Sequence, residues 1–150
     1  MSESILNTLR HEHRQADELM VKIEHARDIA FKKEIYLRLK NELILHMEGE
    51  EATLYAHLIE DVRDEEAEEV ALHAEDEHQE IKDLLSRLDN IGIEDEDWDT
   101  TFKKLHSCIR QHVEEEESDL FAEAKQDFSK EELVEFGDEF EDAKLHVDLH

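Results

Sequence analysis

No proline interrupts the 150-residue chain, and only Gly49, Gly92 and Gly137 loosen it. Without those punctuators a sheet of short strands and tight turns is excluded, and long helices are expected. A lone cysteine, Cys108, excludes an intramolecular disulfide framework. Basic residues are scarce too: 17 Lys and Arg stand against 44 Asp and Glu, a formal charge of -27. Such a field repels phosphate backbones and anionic headgroups, so neither nucleic acid nor a membrane surface is an expected partner. The excess acid reads as solvated helix faces, which attract cations weakly and everywhere. No apolar run approaches transmembrane length, and the N-terminus has neither the basic stretch nor the apolar centre of an export signal. The expected location is the cytoplasm. With 39% apolar residues, the chain is long enough for one domain, 1–150, with a real core.

What the chain does contain, it contains twice. Glu12-His13 returns as Glu77-His78, and His46-x-x-x-Glu50 returns as His112-x-x-x-Glu116. Around the second pair the echo runs over eleven positions, His46 through Ala56 against His112 through Ala122. A repeat that preserves histidine and carboxylate while its surroundings drift suggests a site assembled from both halves of the fold.

Apolar residues step along the chain by threes and fours, as on one face of an α-helix. The stripes are Leu9, His13, Ala16, Met20, Ile23; Leu39, Leu43, His46, Glu50, Leu54; Ala71, Ala74, His78, Ile81, Leu85, Leu88; and Leu105, Ile109, His112, Glu116, Leu120. Helices are predicted at about 4–27, 32–60, 64–89 and 98–125, and Ser129 with Glu132 reads as a capping box opening a fifth at about 129–145. No breaker marks the boundary near Asp61 to Asp64. Short connections make neighbours antiparallel, so the expected fold is all-α: an up-down-up-down four-helix bundle with a short C-terminal helix that caps or flanks it.

Every stripe carries residues of the repeat, so four histidines and two glutamates would face a bundle core. Unpaired there, they would cost on the order of several kcal/mol in desolvation, and metal ions are the economical partner. Six nitrogen and oxygen donors are too many for one tetrahedral zinc and the wrong type for calcium. If both carboxylates bridge, each of two metals receives two histidines, and a solvent-derived oxide or hydroxide can complete the bridge. Donors without thiolate suit iron, and an iron pair with an open position can bind dioxygen, nitric oxide or peroxide.

Taken in order, Glu12-His13, His46-x-x-x-Glu50-Glu51-x-x-Leu54-Tyr55, Glu77-His78 and His112-x-x-x-Glu116-Glu117-x-x-Leu120-Phe121 resemble the signature of hemerythrin-like, or HHE cation-binding, proteins across residues 5 to 125. The resemblance implies two non-haem iron ions, oxo- or hydroxo-bridged, held by His13, His46, Glu50, His78, His112 and Glu116. Two departures stand out. Five-histidine oxygen carriers of this family have a histidine four residues before the one matching His78; here that residue is Ala74, and His73 points about 140° away on an ideal helix. The pattern is similar to bacterial four-histidine, two-glutamate members, some of which resemble repair proteins of iron-sulfur centres. Ala56 and Ala122 stand where relatives often carry proline, which bears on helix ends more than on chemistry.

The expected function is binding or sensing of dioxygen or a related reactive species. The alternatives are an enzyme or repair factor, which reduces nitric oxide, decomposes peroxide or donates iron to damaged clusters, and a metal-storage or structural bundle. Any signalling role requires a protein partner. Glu51 and Glu117 are expected to support the ligands or meet solvent rather than ligate. Tyr55 and Cys108 are expected to pack as core residues, with a redox role as the alternative for Cys108 and a role as iron ligand or electron donor as that for Tyr55. Gly49 either sits harmlessly at the surface or admits a close helix or ligand. Ala16, Met20, Leu39, Leu43, Leu105 and Ile109 form an apolar wall around the site. His11, His25, His57, His73, His106, His146 and His150 are read as surface residues.

Overall fold

The computed structural model describes residues 3–149; Met1, Ser2 and His150 lie outside them. Helices start where the sequence supplies caps. The Ser4 hydroxyl accepts from the Leu6 amide and opens α1 (Ile5–His25), and Asp28 accepts from Phe31 at the start of α2 (Ile29–Ala52). After α3 (Leu54–Glu60) come α4 (Glu65–Asp89) and α5 (Glu96–Glu115), the latter capped by Asp95. A π-helical turn, Glu116–Leu120, carries α5 into α6 (Phe121–Asp127). The capping box at Ser129 and Glu132 is reciprocal and starts α7 (Lys130–Leu145).

The legs of the bundle are α1, α2 with α3, α4, and α5 with α6. Helix α1 packs on α2, α3 on α4 and α4 on α5, while α7 flanks the bundle against α1 and α2. The family of helices is the expected one, but two are interrupted. The helix expected over 32–60 starts at Ile29 and breaks at Thr53, whose hydroxyl donates to the Gly49 carbonyl at 2.7 Å. Such back-bonding competes with the helical ladder and bends it. The helix expected over 98–125 holds the π turn, which adds a residue to one turn. The first interruption follows the carboxylate pair Glu50-Glu51 and the second begins at its repeat, Glu116-Glu117, and neither needs proline: Ala56 and Ala122 lie inside α3 and α6. The unmarked turn before α4 is made by Arg63, which takes the left-handed conformation at φ 55° without being glycine.

The core has two apolar halves. Ile5, Leu9, Leu54, Ala71 and Phe121 belong to one; Met20, Leu39, Leu85, Trp98 and Leu105 to the other. On every leg of the bundle the residues of the repeat fall between the two. The sequence period therefore builds a polar slab across the middle of an apolar core.

Candidate metal centre

His13 comes from α1, His46 and Glu50 from α2, His78 from α4, His112 from α5, and Glu116 opens the π turn. All six are buried, Glu50 completely at 0% exposure. They form two four-donor groups, one of His13, His46, Glu50 and Glu116, the other of His78, His112, Glu50 and Glu116. Each carboxylate reaches into both groups. Glu50 Oε1 lies 3.0 Å from His46 Nε2 and 3.2 Å from His78 Nε2, while the Glu116 oxygens lie 3.1 Å from His13 Nε2 and 3.4 Å from His112 Nε2. Proximity here is not hydrogen bonding. The Nε2 atoms of His13, His46 and His112, both Glu50 oxygens and Glu116 Oε1 are buried without a hydrogen-bond partner. Buried donor atoms converging at one place without hydrogen-bond partners could hold a metal ion.

The other side of each imidazole is fully engaged. Nδ1 of His13 meets Glu117 at 2.7 Å, His46 meets Glu12 at 2.8 Å, His78 meets Glu51 at 2.8 Å and His112 meets Glu77 at 2.9 Å. A carboxylate only accepts, so Nδ1 carries a hydrogen and Nε2 is the atom each ring can offer to a metal once its own proton has left. The repeat thus crosses over: Glu12, beside His13, orients His46, and Glu77, beside His78, orients His112, each on a neighbouring helix. Beyond this layer, Lys144 Nζ from α7 binds Glu12 at 2.6 Å and Lys82 Nζ binds Glu51 at 3.3 Å. Glu51 and Glu117 therefore stand behind the imidazoles of His78 and His13. The roles of Glu12 and Glu77 were not foreseen, although their adjacency to His13 and His78 in both repeats was a signal.

Electrostatics follow from this arrangement in the absence of a cation. Burial opposes charge on His46 and His112, but the facing carboxylates, Glu50 with Glu12 and Glu116 with Glu77, outweigh it and push both up to about 10. Burial likewise opposes ionisation of Glu116, yet His112 and His13 hold it well below the usual carboxylate range. Protons thus occupy the site when cations do not.

Tyr55 is a core residue at 0% exposure and more than that. Its hydroxyl donates to Glu116 and lies 3.2 Å from His78 Nε2, while burial and the nearby Glu116 and Glu50 keep it a phenol. Cys108 is partly buried against the core, its thiol pushed up by burial and by Glu80. A cavity of about 220 Å³ between α1, α2 and α7 reaches His13, His46, His78 and His112 past Ala16, Leu43 and Ile109, three of the expected apolar wall. The other three, Met20, Leu39 and Leu105, are buried in the adjoining core.

Two histidines read as surface residues are not. His106 is buried between Glu24 and Asp17, at 2.9 and 2.8 Å, and half-buried His57 stacks on Phe136 with ring centroids 3.9 Å apart. Carboxylates from another helix make burial of His106 tolerable, and sequence spacing carries no sign of them.

The family model for the hemerythrin HHE cation binding domain matches residues 4–124, the span that builds this slab. The chain belongs to the hemerythrin HHE cation-binding family. A crystal structure of another HHE cation binding domain-containing protein, from Mycobacterium kansasii, matches this HHE domain with a TM-score of 0.81 at 21% identity, over 95% of this chain and 85% of that one. At that identity the likeness speaks for the fold. A Nostoc sp. protein named DNA nickase is 26% identical over 144 residues, 96% of this chain and 40% of that protein. The chain thus spans well under half the length of that relative.

Proposed function

We propose that His13, His46, His78, His112, Glu50 and Glu116 hold two non-haem iron ions, with both carboxylates shared between them, and that the domain binds or senses dioxygen or a related reactive species there. The observation that carries this reading is the pair of four-donor groups with Glu50 and Glu116 in common. Nitrogen and oxygen donors without thiolate favour iron, which supplies redox chemistry and open positions for a small ligand. The protein's own part is to orient and to exclude. Four Nδ1–carboxylate contacts hold the imidazole rings, and the apolar cavity beside α1 admits small neutral molecules while limiting bulk water.

Tyr55 favours a second reading, an enzyme that reduces nitric oxide or decomposes peroxide, because a buried phenol beside Glu116 and His78 can deliver a proton at the site. The activity in the name of the Nostoc relative is disfavoured for this chain by its charge of -27, which opposes phosphate contact. We propose a cytoplasmic protein without nucleic-acid or membrane partners; among the described residues no helix is long and apolar enough to cross a membrane.

The test is to count iron and zinc per chain in aerobically purified protein, then reduce it and readmit oxygen while recording the near-ultraviolet and visible spectrum. About two irons and a reversible spectral change support a binder or sensor. Steady consumption of peroxide supports the enzyme, and bound zinc with spectral silence supports a structural bundle. His46→Ala and His112→Ala should each lose metal first and stability second; retention of two irons in either variant would overturn the ligand assignment.

A further inference from the structure

A second cavity, about 200 Å³, is lined by α4, α5 and the π turn. Exposure falls along it from outside to inside. Glu69, His73 and Asp119 are exposed at its mouth, Glu77 and Glu115 are half-buried below them, and His112 and Glu116 are buried at its floor. The floor residues include two of the orphaned atoms, His112 Nε2 and Glu116 Oε1. Ala74 also lines this cavity, so the small side chain at the place of the missing fifth histidine leaves room beside the proposed ligands.

Three residues of the passage form a donor set of their own. His73 Nε2 lies 3.2 Å from Glu115 Oε2 and 3.6 Å from Glu77 Oε2, and the three side chains offer ligand atoms within 4.8 Å of one another. One imidazole nitrogen and two carboxylates suit a divalent first-row cation such as Fe²⁺. Glu77 belongs to both layers, because its other oxygen accepts from His112 Nδ1 at 2.9 Å. The two cavities also differ in character. The one beside α1 is walled by Ala16, Leu43 and Ile109, with Lys144 offsetting Glu12, whereas the one beside α4 is ringed by Glu69, Glu77, Glu115 and Asp119 with no Lys or Arg in its lining, which concentrates cations.

We infer that His73, Glu77 and Glu115 form an outer metal site that captures a divalent cation and passes it through the α4–α5 cavity to the buried histidine and glutamate cluster. The inference rests on the reading of that cluster as a two-metal site. Cations and small neutral ligands then reach the centre by different doors.

Cobalt(II) is the probe, followed by its visible ligand-field bands after rapid mixing with metal-free protein and counted per chain by elemental analysis. The parent protein should hold two equivalents tightly and a third weakly. The double variant His73→Ala/Glu115→Gln should keep the first two, lose the third and fill about tenfold or more slowly. Glu131→Gln, which removes an acidic charge on α7, should fill at the parental rate and so exclude a general charge effect. A double variant that fills at the parental rate, or that keeps the third equivalent, would overturn the outer site alone and leave an ordinary surface ion pair. Failure of the parent to hold the first two equivalents would overturn the buried-pair reading and the loading role together.

Discussion

At the scale of single residues, the site is a set of histidines each held from behind. Glu12 and Glu51 do not touch the centre; they fix the tautomer and orientation of His46 and His78. Glu12→Gln and Glu51→Gln should therefore lower metal affinity by about 10–100-fold without unfolding the protein. Competition against a chelator of known affinity measures this, and an unchanged affinity would show that the rings are oriented without these carboxylates. The six proposed ligands were legible because spacing and repeat put them on the buried stripe of each helix. The four supporting glutamates were only half legible: Glu51 and Glu117 carried a supporting role in advance, whereas Glu12 and Glu77 act on histidines 34 and 35 residues away, across a helix interface. His106 was misjudged for the same reason, since Asp17 and Glu24 reach it from α1.

At the scale of elements, α7 is tied to the centre. Phe140 lies edge-on to His46 with ring centroids 6.1 Å apart, and Lys144 holds Glu12. Gly49 permits this approach, because a Cβ there would stand 2.7 Å from Phe140 Cε1 and 3.1 Å from Lys144 Cγ. Gly49→Ala gains about 1 kcal/mol of helix propensity. It meets an overpacking cost of about 1–3 kcal/mol and displaces α7. The net expectation is a lower melting temperature and faster proteolysis within α7; a stabilised variant with unchanged proteolysis would show that the glycine serves no close contact. The order of the helices and the cap at Ser129 were legible, because a capping box acts locally, whereas the caps at Ser4, Asp28 and Asp95 emerged only with the structure. The interruptions at Thr53 and Glu116–Leu120 were not. Side-chain competition for a backbone carbonyl and an inserted π turn leave apolar periodicity nearly unchanged.

At the scale of the whole molecule, the proposed metals and protons compete for one buried slab. In the metal-free protein His46 and His112 are raised to about 10, against an unfolded value of about 6.5. Their stabilisation is complete below about pH 6.5 and is lost as pH rises toward 10. Glu116 runs the other way: its lowered value contributes stability above about pH 4.3 that is lost as pH falls through the folded value. Metal-free protein should accordingly melt highest in mildly acidic solution and progressively lower above it. Metal uptake displaces protons, so affinity strengthens as pH rises. The gap in melting temperature between loaded and metal-free protein should widen from about pH 6 to 9. Calorimetry of both forms across that range checks this, and a gap that narrows would mean that the cations bind elsewhere.

What the chain determined unaided was whatever depends on local period and residue type. Missing proline and scarce glycine enforce helices, threes and fours select their buried faces, and the repeated histidine and carboxylate pairs put lone pairs on those faces. Only the tertiary structure decided which helix meets which. It made Glu50 and Glu116 common to both groups, sent Glu12 and Glu77 to histidines on neighbouring helices, brought Lys144 from α7 to Glu12, and opened the acidic passage beside Ala74. The physical reason is range: a helix face is set by residues three or four apart, whereas a ligand's support and its access are set by side chains that converge only when the bundle closes.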